Sequence, residues 1–122
     1  MQKILLSINP EHVENILSRK KQYEFRKVRC KKSINKIVIY ATAPTSLIVG
    51  EVDVIDIFED NPEKVWKKTK ALAGITKEFF EQYYKNKDRA IAYKLGAVKK
   101  YKSPKQLNDF GIKFAPQSFI YL

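Results

Sequence analysis

Apolar positions along the chain change period several times, and each change marks an element. Lys3 to Ser7 reads as a short strand. Asn9-Pro10-Glu11 then reads as a helix start, with Asn9 as N-cap, Pro10 at the first helical position and an acid in the first turn. Val13, Ile16 and Leu17 follow at helical spacing and predict a helix ending near Arg19-Lys20. From Gln22 to Arg26 the pattern alternates, with Tyr23 and Phe25 on one face and Gln22, Glu24 and Arg26 on the other. Val28 to Lys36 reads as a basic loop. Ile37 to Ala41 is a continuous apolar run, the mark of a strand buried on both faces, and Pro44 ends it.

Ser46 to Phe58 predicts a long strand whose phase breaks. Val52 and Val54 share parity, but the apolar series resumes at Ile55 and Ile57, so a β-bulge or sharp bend is expected near Val54-Ile55. Asn61-Pro62-Glu63 repeats the capping pattern ahead of Val65, Trp66, Thr69 and Leu72, and Gly74 supplies a stop. Thr76 caps a third helix carrying Phe79, Phe80, Tyr83 and Tyr84, read as packing residues, with base stacking as the alternative. Ile91, Tyr93 and Leu95 alternate in a strand running toward Tyr101. Ser103 to Ala115 reads as loop with one helical turn, and Gln117 to Tyr121 as a last strand. The order β-α-β-β-β-α-α-β-β does not alternate strictly, which argues against a doubly wound parallel sheet. The expected class is α+β: a curved, mostly antiparallel sheet or barrel with about three helices packed at its ends.

With 122 residues the chain is expected to form one domain spanning 1–122. No apolar stretch reaches the ~18 residues of a membrane helix, and the N-terminus lacks the pattern of a secretory signal, so a cytoplasmic location is expected. One cysteine and one histidine argue against structural zinc, and no metal or cofactor is expected. His12 is expected to face solvent. Cys30 falls in the basic loop, where neighbouring cations would activate a thiol. With four glycines and no phosphate loop, a dinucleotide fold is excluded.

Charge changes the picture most. Twenty-four Lys and Arg against thirteen Asp and Glu give +11, which attracts polyanions. Nine basic residues lie between Arg19 and Lys36, with Glu24 the one acid among them. Ile37 to Glu63 holds six acids and no base. Lys27, Arg29, Lys31, Lys32 and the rest of the loop to Lys36, with Lys99, Lys100 and Lys102, are expected to hold a nucleic-acid backbone. That attraction points to nucleic acid, RNA or DNA, which charge alone does not separate; no basic amphipathic helix with an exposed apolar face stands out to mark a membrane role.

The segment from Arg19 to Arg26 carries the candidate chemistry. Lys21 sits at the turn, and Glu24 and Arg26 share a strand face. A carboxylate between two cations can accept from an amine or ring N–H while the arginine donates to a phosphate or base edge. The bland alternative is a surface ion pair of ~0–1 kcal/mol. This segment resembles the signature of the ASCH domain family, G-x-K-x-x-E-x-R, with Lys21, Glu24 and Arg26 matching and Arg19 replacing the glycine. Ile16-Leu17-Ser18, Tyr40 to Pro44, Ile48 to Glu51 and Ala115 to Phe119 extend the likeness over the whole chain, toward small members labelled transcriptional regulators.

The resemblance implies a PUA-like β-barrel associated with RNA, so RNA, single-stranded or carrying a modified base, becomes the expected partner and DNA the alternative, with a base or nucleotide held in a cleft beside the barrel. It implies Lys21, Glu24 and Arg26 as the site, with Thr42, Gln117 and Ser118 as further cleft candidates. Some ASCH proteins are hydrolases. One branch resembles an N4-acetylcytidine amidohydrolase with a threonine nucleophile where this chain has Glu24, so a threonine acyl-enzyme cannot form here. Another branch is linked to ribonuclease activity. As catalysts, Glu24 would act as general base and Lys21 would stabilise an oxyanion. The glycine permits a positive φ, which Arg19 would meet only with strain or by changing the turn.

Overall fold

The computed structural model describes residues 2–122. Its elements are β1 (Gln2–Ile8), α1 (Pro10–Leu17), β2 (Tyr23–Arg26), β3 (Ile34–Ala41), β4 (Leu47–Asp60), α2 (Pro62–Thr69), α3 (Lys77–Tyr83), β5 (Ala90–Lys105) and β6 (Phe119–Tyr121). Short 3-10 turns follow α2 (Lys70–Leu72) and β5 (Leu107–Phe110). The order is the one the periodicity predicts. No helix among the described residues is long and apolar enough to cross a membrane.

One curled sheet runs β2-β5-β4-β3-β1-β6. Only β1 and β3 pair in parallel; every other neighbour is antiparallel. A parallel pair needs a crossover, and α1 with β2 supplies it. The fold is therefore α+β with a curved, mostly antiparallel half-barrel. The edges β2 and β6 are not paired with each other. A side chain bridges toward the gap instead: Arg26 on β2 donates from Nη2 to the Ser7 carbonyl on β1 at 2.9 Å.

The expected phase fault lies where the sequence puts it. Register shifts between Val52 and Val54 and again between Val54 and Asp56. Ile55 is left without a partner on β5 and turns outward, 60% exposed. Gly96 makes room for it, since a Cβ there would come within 2.8 Å of Ile55 Cγ2.

The parity of β1 and β3 divides the core. Ile4, Leu6, Ile8, Ile37 and Ile39 pack with Val13 and Ile16 of α1. Leu5, Val38 and Tyr40 face the other way, under Tyr101, Leu107 and Phe110. A third cluster sets Phe80 and Tyr84 of α3 and Val65 of α2 on Tyr23, Phe25 and Ala92. Each such side chain contributes roughly 1.5–3 kcal/mol of burial. This last cluster fixes α3 beside β2 and so forms one wall of the site.

Several boundaries differ from expectation. α1 stops at Leu17, because Arg19 takes a φ of 69° and reverses the chain. β3 begins at Ile34, so Lys36 is a strand residue rather than part of the loop. β5 runs through Ser103 and Pro104 to Lys105. Proline is tolerated there because the β4–β5 register is irregular between Ile48 and Gly50, and that irregularity spares the missing N–H.

Candidate functional site

The junction between α1 and β2 builds the site. Asn9 Oδ1 caps α1 by accepting from the Glu11 N–H at 3.1 Å, which places His12 in the first turn. After Ser18 the chain reverses at Arg19, in the left-handed region where the family signature has glycine. The Arg19 guanidinium donates to the Leu95 and Gly96 carbonyls of β5, pinning the turn from outside. The Lys21 N–H then donates to the Asn15 carbonyl at 2.8 Å and the Gln22 N–H to Leu72 at 2.8 Å. The turn is left-handed at Arg19, and an arginine bears the strain there.

Lys21 is buried, 3% exposed. Its Nζ donates to the Ala73 carbonyl at 3.0 Å and lies 4.7 Å from the centre of the Phe25 ring. Burial pushes its pKa below the ordinary lysine value; the Glu24 carboxylate opposes that shift and Arg26 adds to it. Glu24 accepts two bonds on one oxygen: Arg26 Nε at 3.0 Å and Nη2 at 2.7 Å both reach Oε2. The two side chains are 8% and 17% exposed, so this pair is not the surface ion pair that spacing alone allows. Removing one partner of a buried pair leaves an uncompensated charge.

These three side chains floor a cleft of about 220 Å³, whose walls include Ile75, Phe79 and Tyr83 from the α3 side and His12 from α1. His12 does not face solvent as expected. It is half-buried, its ring edge-on to Phe79 at 5.5 Å, and its Nδ1 is sealed without a hydrogen-bond partner. Burial, and then the nearby Lys21 charge, lower its pKa. Burial raises the pKa of the Tyr83 phenol. Lys27 Nζ sits 4.6 Å over the Tyr83 ring and carries a charge to the rim. The signal for His12 was present, since positions 12 and 16 share a helix face and Ile16 is core. Phe79 and Tyr83 gave no separable signal, because a helix rich in aromatics does not say which ring is core. Phe80 is core and Phe79 is 48% exposed.

Thr42, Gln117 and Ser118 do not line the cleft. They lie behind its β1 wall or beside it. The Thr42 N–H donates to the Ile8 carbonyl, and the Ser7 N–H donates to the Ser118 carbonyl at 2.9 Å. Ser7 Oγ donates to Pro116 O at 2.7 Å. Gln117 is exposed.

The basic loop divides into free and committed charges. Lys27 and Lys31 are exposed and make no ion pair among the described residues. Lys32 is exposed over the Tyr121 ring. Arg29 pairs with Glu59 at 3.2 Å. Lys36 is committed to the acidic stretch: it meets Glu51 at 2.9 Å and Asp53 at 3.6 Å, and hydrogen bonding to Glu51 raises its pKa. Arg29, Lys31 and Lys32 border a second, shallow hollow of about 290 Å³ against the β4 bulge, separate from the cleft. Lys99, Lys100 and Lys102 are exposed on β5. Cys30 is buried, not an accessible thiol: the Tyr93 hydroxyl donates to its Sγ at 3.3 Å and accepts from its N–H at 3.1 Å.

A curled six-stranded α+β sheet with this junction motif over a small cleft defines an ASCH-like fold. The ASCH protein of Zymomonas mobilis superposes with a TM-score of 0.89 at 24% identity, over 98% of this chain and 87% of that one. A variant of the same protein gives 0.91 at 23%, over 100% and 91%. The N-terminal domain of Staphylothermus marinus McrB gives 0.51 at 16%, over 88% and 77%. The chain belongs to the family described as a domain of unknown function, DUF365, whose sequence model matches residues 2–115. It is also 32% identical to a segment of the ATP synthase subunit alpha of Ureaplasma parvum and 28% identical to one of the large ribosomal subunit protein uL22 there. These alignments cover 99% and 98% of this chain but only 15% and 39% of those proteins, so it spans well under half of either.

Proposed function

We propose that this chain binds RNA and takes a single base or nucleotide into the cleft floored by Lys21, Glu24 and Arg26. The observation that carries this reading is the floor itself: a buried ammonium and a buried, arginine-held carboxylate beneath aromatic walls. Proteins that read single-stranded RNA splay a base out, stack it on aromatic rings and bond its edge. The cleft is smaller than the ~300–1,000 Å³ of a drug-sized site, which suits one ring rather than an oligonucleotide. Exposed Lys27, Lys31, Lys32, Lys99, Lys100 and Lys102 supply backbone contacts. The Ureaplasma relatives have unlike roles by name, one ribosomal and one in ATP synthase, so the reading rests on the site.

Fluorescence anisotropy with single-stranded RNA tests it. Glu24→Ala or Arg26→Ala should weaken the preferred ligand more than random RNA. Lys31→Ala or Lys32→Ala should weaken all sequences alike. Equal losses from both kinds of variant would remove the cleft from the account.

A hydrolytic reading draws on one specific observation, the desolvated Lys21 placed beside Glu24. A lysine with a depressed pKa is a usable proton donor, and Glu24 would be the base toward water. Conversion of a modified nucleoside or cleavage of RNA, lost in Glu24→Gln with binding kept, would establish it.

A further inference from the structure

We propose that the cleft reads a lactam edge, a ring carbonyl beside a ring N–H as in uracil or guanine, in preference to adenine or cytosine. This rests on the base-binding reading above and names the chemistry of that same site.

The hydrogen-bond capacity left after the protein's own bonds decides the ligand. Both bonds from Arg26 end on Glu24 Oε2, and none among the described residues reaches Oε1. Among the described residues, His12 Nδ1 is the one side-chain polar atom sealed from solvent without a partner. Glu24 Oε1 is therefore open, and the space Glu24 lines is the cleft. An ionised carboxylate oxygen only accepts. An ammonium has three donors, and Lys21 commits one to Ala73, leaving the others for a ligand. Arg26 uses Nε and Nη2 on Glu24 and Ser7, which makes it the residue that positions the carboxylate.

The ligand must therefore offer an acceptor to Lys21 and a donor to Glu24. Lys21 is the more deeply buried of the two, 3% exposed against 6% for Glu24, tied to the Ala73 backbone and lying against Phe25. A lactam matches that order. Its exocyclic oxygen protrudes toward the deeper ammonium, and its ring N–H sits a bond further back, opposite the carboxylate. Adenine and cytosine reverse the order on their pairing edge: a protruding amine sits beside a ring nitrogen that only accepts, and cytosine's carbonyl O2 has no ring N–H beside it to meet the carboxylate. Their amine would meet the ammonium donor to donor. Charge acts in the same direction, since two cations and one carboxylate leave a positive potential that favours a carbonyl oxygen over an amine. A site built to bond a group rejects the analogue that lacks it far more strongly than an apolar pocket rejects a missing methylene.

Anisotropy with U10, A10 and a decamer of N3-methyluridine tests the assignment on the unmodified protein, with uridine, guanosine and adenosine 5′-monophosphates as competitors. U10 should bind at least tenfold tighter than A10, and N3-methylation should abolish that advantage. Glu24→Ala and the more conservative Glu24→Gln, each checked for folding by its urea midpoint, should bring U10 and A10 to the same affinity. Uridine or guanosine monophosphate should compete, and the stronger competitor identifies which lactam is read. Equal binding of A10 and U10, an unchanged affinity for the methylated decamer, or competition by adenosine monophosphate at the same concentration would overturn the lactam assignment while the RNA reading stands. Absence of binding to every oligonucleotide at low salt would overturn both.

Discussion

Gly74 and Lys21 are packed so closely that position 74 has no room for a side chain. A Cβ built there would lie 2.4 Å from Lys21 Cβ, and the backbone at Gly74 has a φ of +69°. The turn after α2 therefore closes over the lysine, and its neighbour Ala73 supplies the carbonyl that accepts from Nζ. The site depends on a glycine that does not itself line the cleft.

Gly74→Ala should be costly on two counts. A left-handed non-glycine residue costs roughly 1–2 kcal/mol, and overpacking adds about 1–3 kcal/mol. Urea unfolding should show a loss of about 2–5 kcal/mol, summed from those two contributions, together with weaker cleft binding. A midpoint within error of wild type would show that the turn relaxes away from Lys21.

Arg19 carries left-handed strain offset by its bonds to Leu95 and Gly96. Arg19→Gly loses the bonds and the strain together. Arg19→Ala loses the bonds and keeps the strain. The glycine variant should therefore be the more stable of the two by about 1 kcal/mol, after subtracting the entropy glycine adds to the unfolded chain. Thermal unfolding of the pair measures this, and the reverse order would contradict the strain.

Lys21 gives stability a signed pH dependence. Burial lowers its pKa in the folded state, so between that value and the unfolded value near 10.5 the unfolded chain binds more protons. In that window its contribution to stability rises with pH. Below the folded pKa the penalty of the buried charge is present in full. Lys21→Met removes that penalty, so the variant's stability relative to wild type should be greatest near neutrality and shrink as pH approaches 10.5. Chemical denaturation at a series of pH values follows the difference, and a pH-independent gap would show that the ammonium pays no burial cost.

Salt dependence should separate lysines that look alike in sequence. Lys31 is exposed and makes no ion pair among the described residues, whereas Lys36 is held by Glu51 and Asp53. Lys31→Ala should lower the salt slope of single-stranded RNA binding by about 0.7 per lost contact. Lys36→Ala should leave that slope unchanged and lower the unfolding midpoint. A lower slope from Lys36→Ala would place that lysine on the RNA after all.

Local physics made much of this fold legible in the chain. Asn9-Pro10 and Asn61-Pro62 set two helix starts, because a capping side chain and a fixed proline φ act within a few residues. The doubly buried run at Ile37 to Ala41 and the bulge at Ile55 also followed from parity, since side chains alternate strictly along a strand. The signature spacing brought out Lys21, Glu24 and Arg26. Tertiary structure decided the rest. His12 lines the cleft because α3 brings Phe79 against it from a distant part of the chain. Lys36 is committed because β4 lays its acids beside β3. Cys30 is sealed because Tyr93 arrives from β5. Lys21 is desolvated because the Ala73-Gly74 turn covers it. Burial and partner choice depend on which distant segments meet, and neither period nor composition encodes those meetings locally.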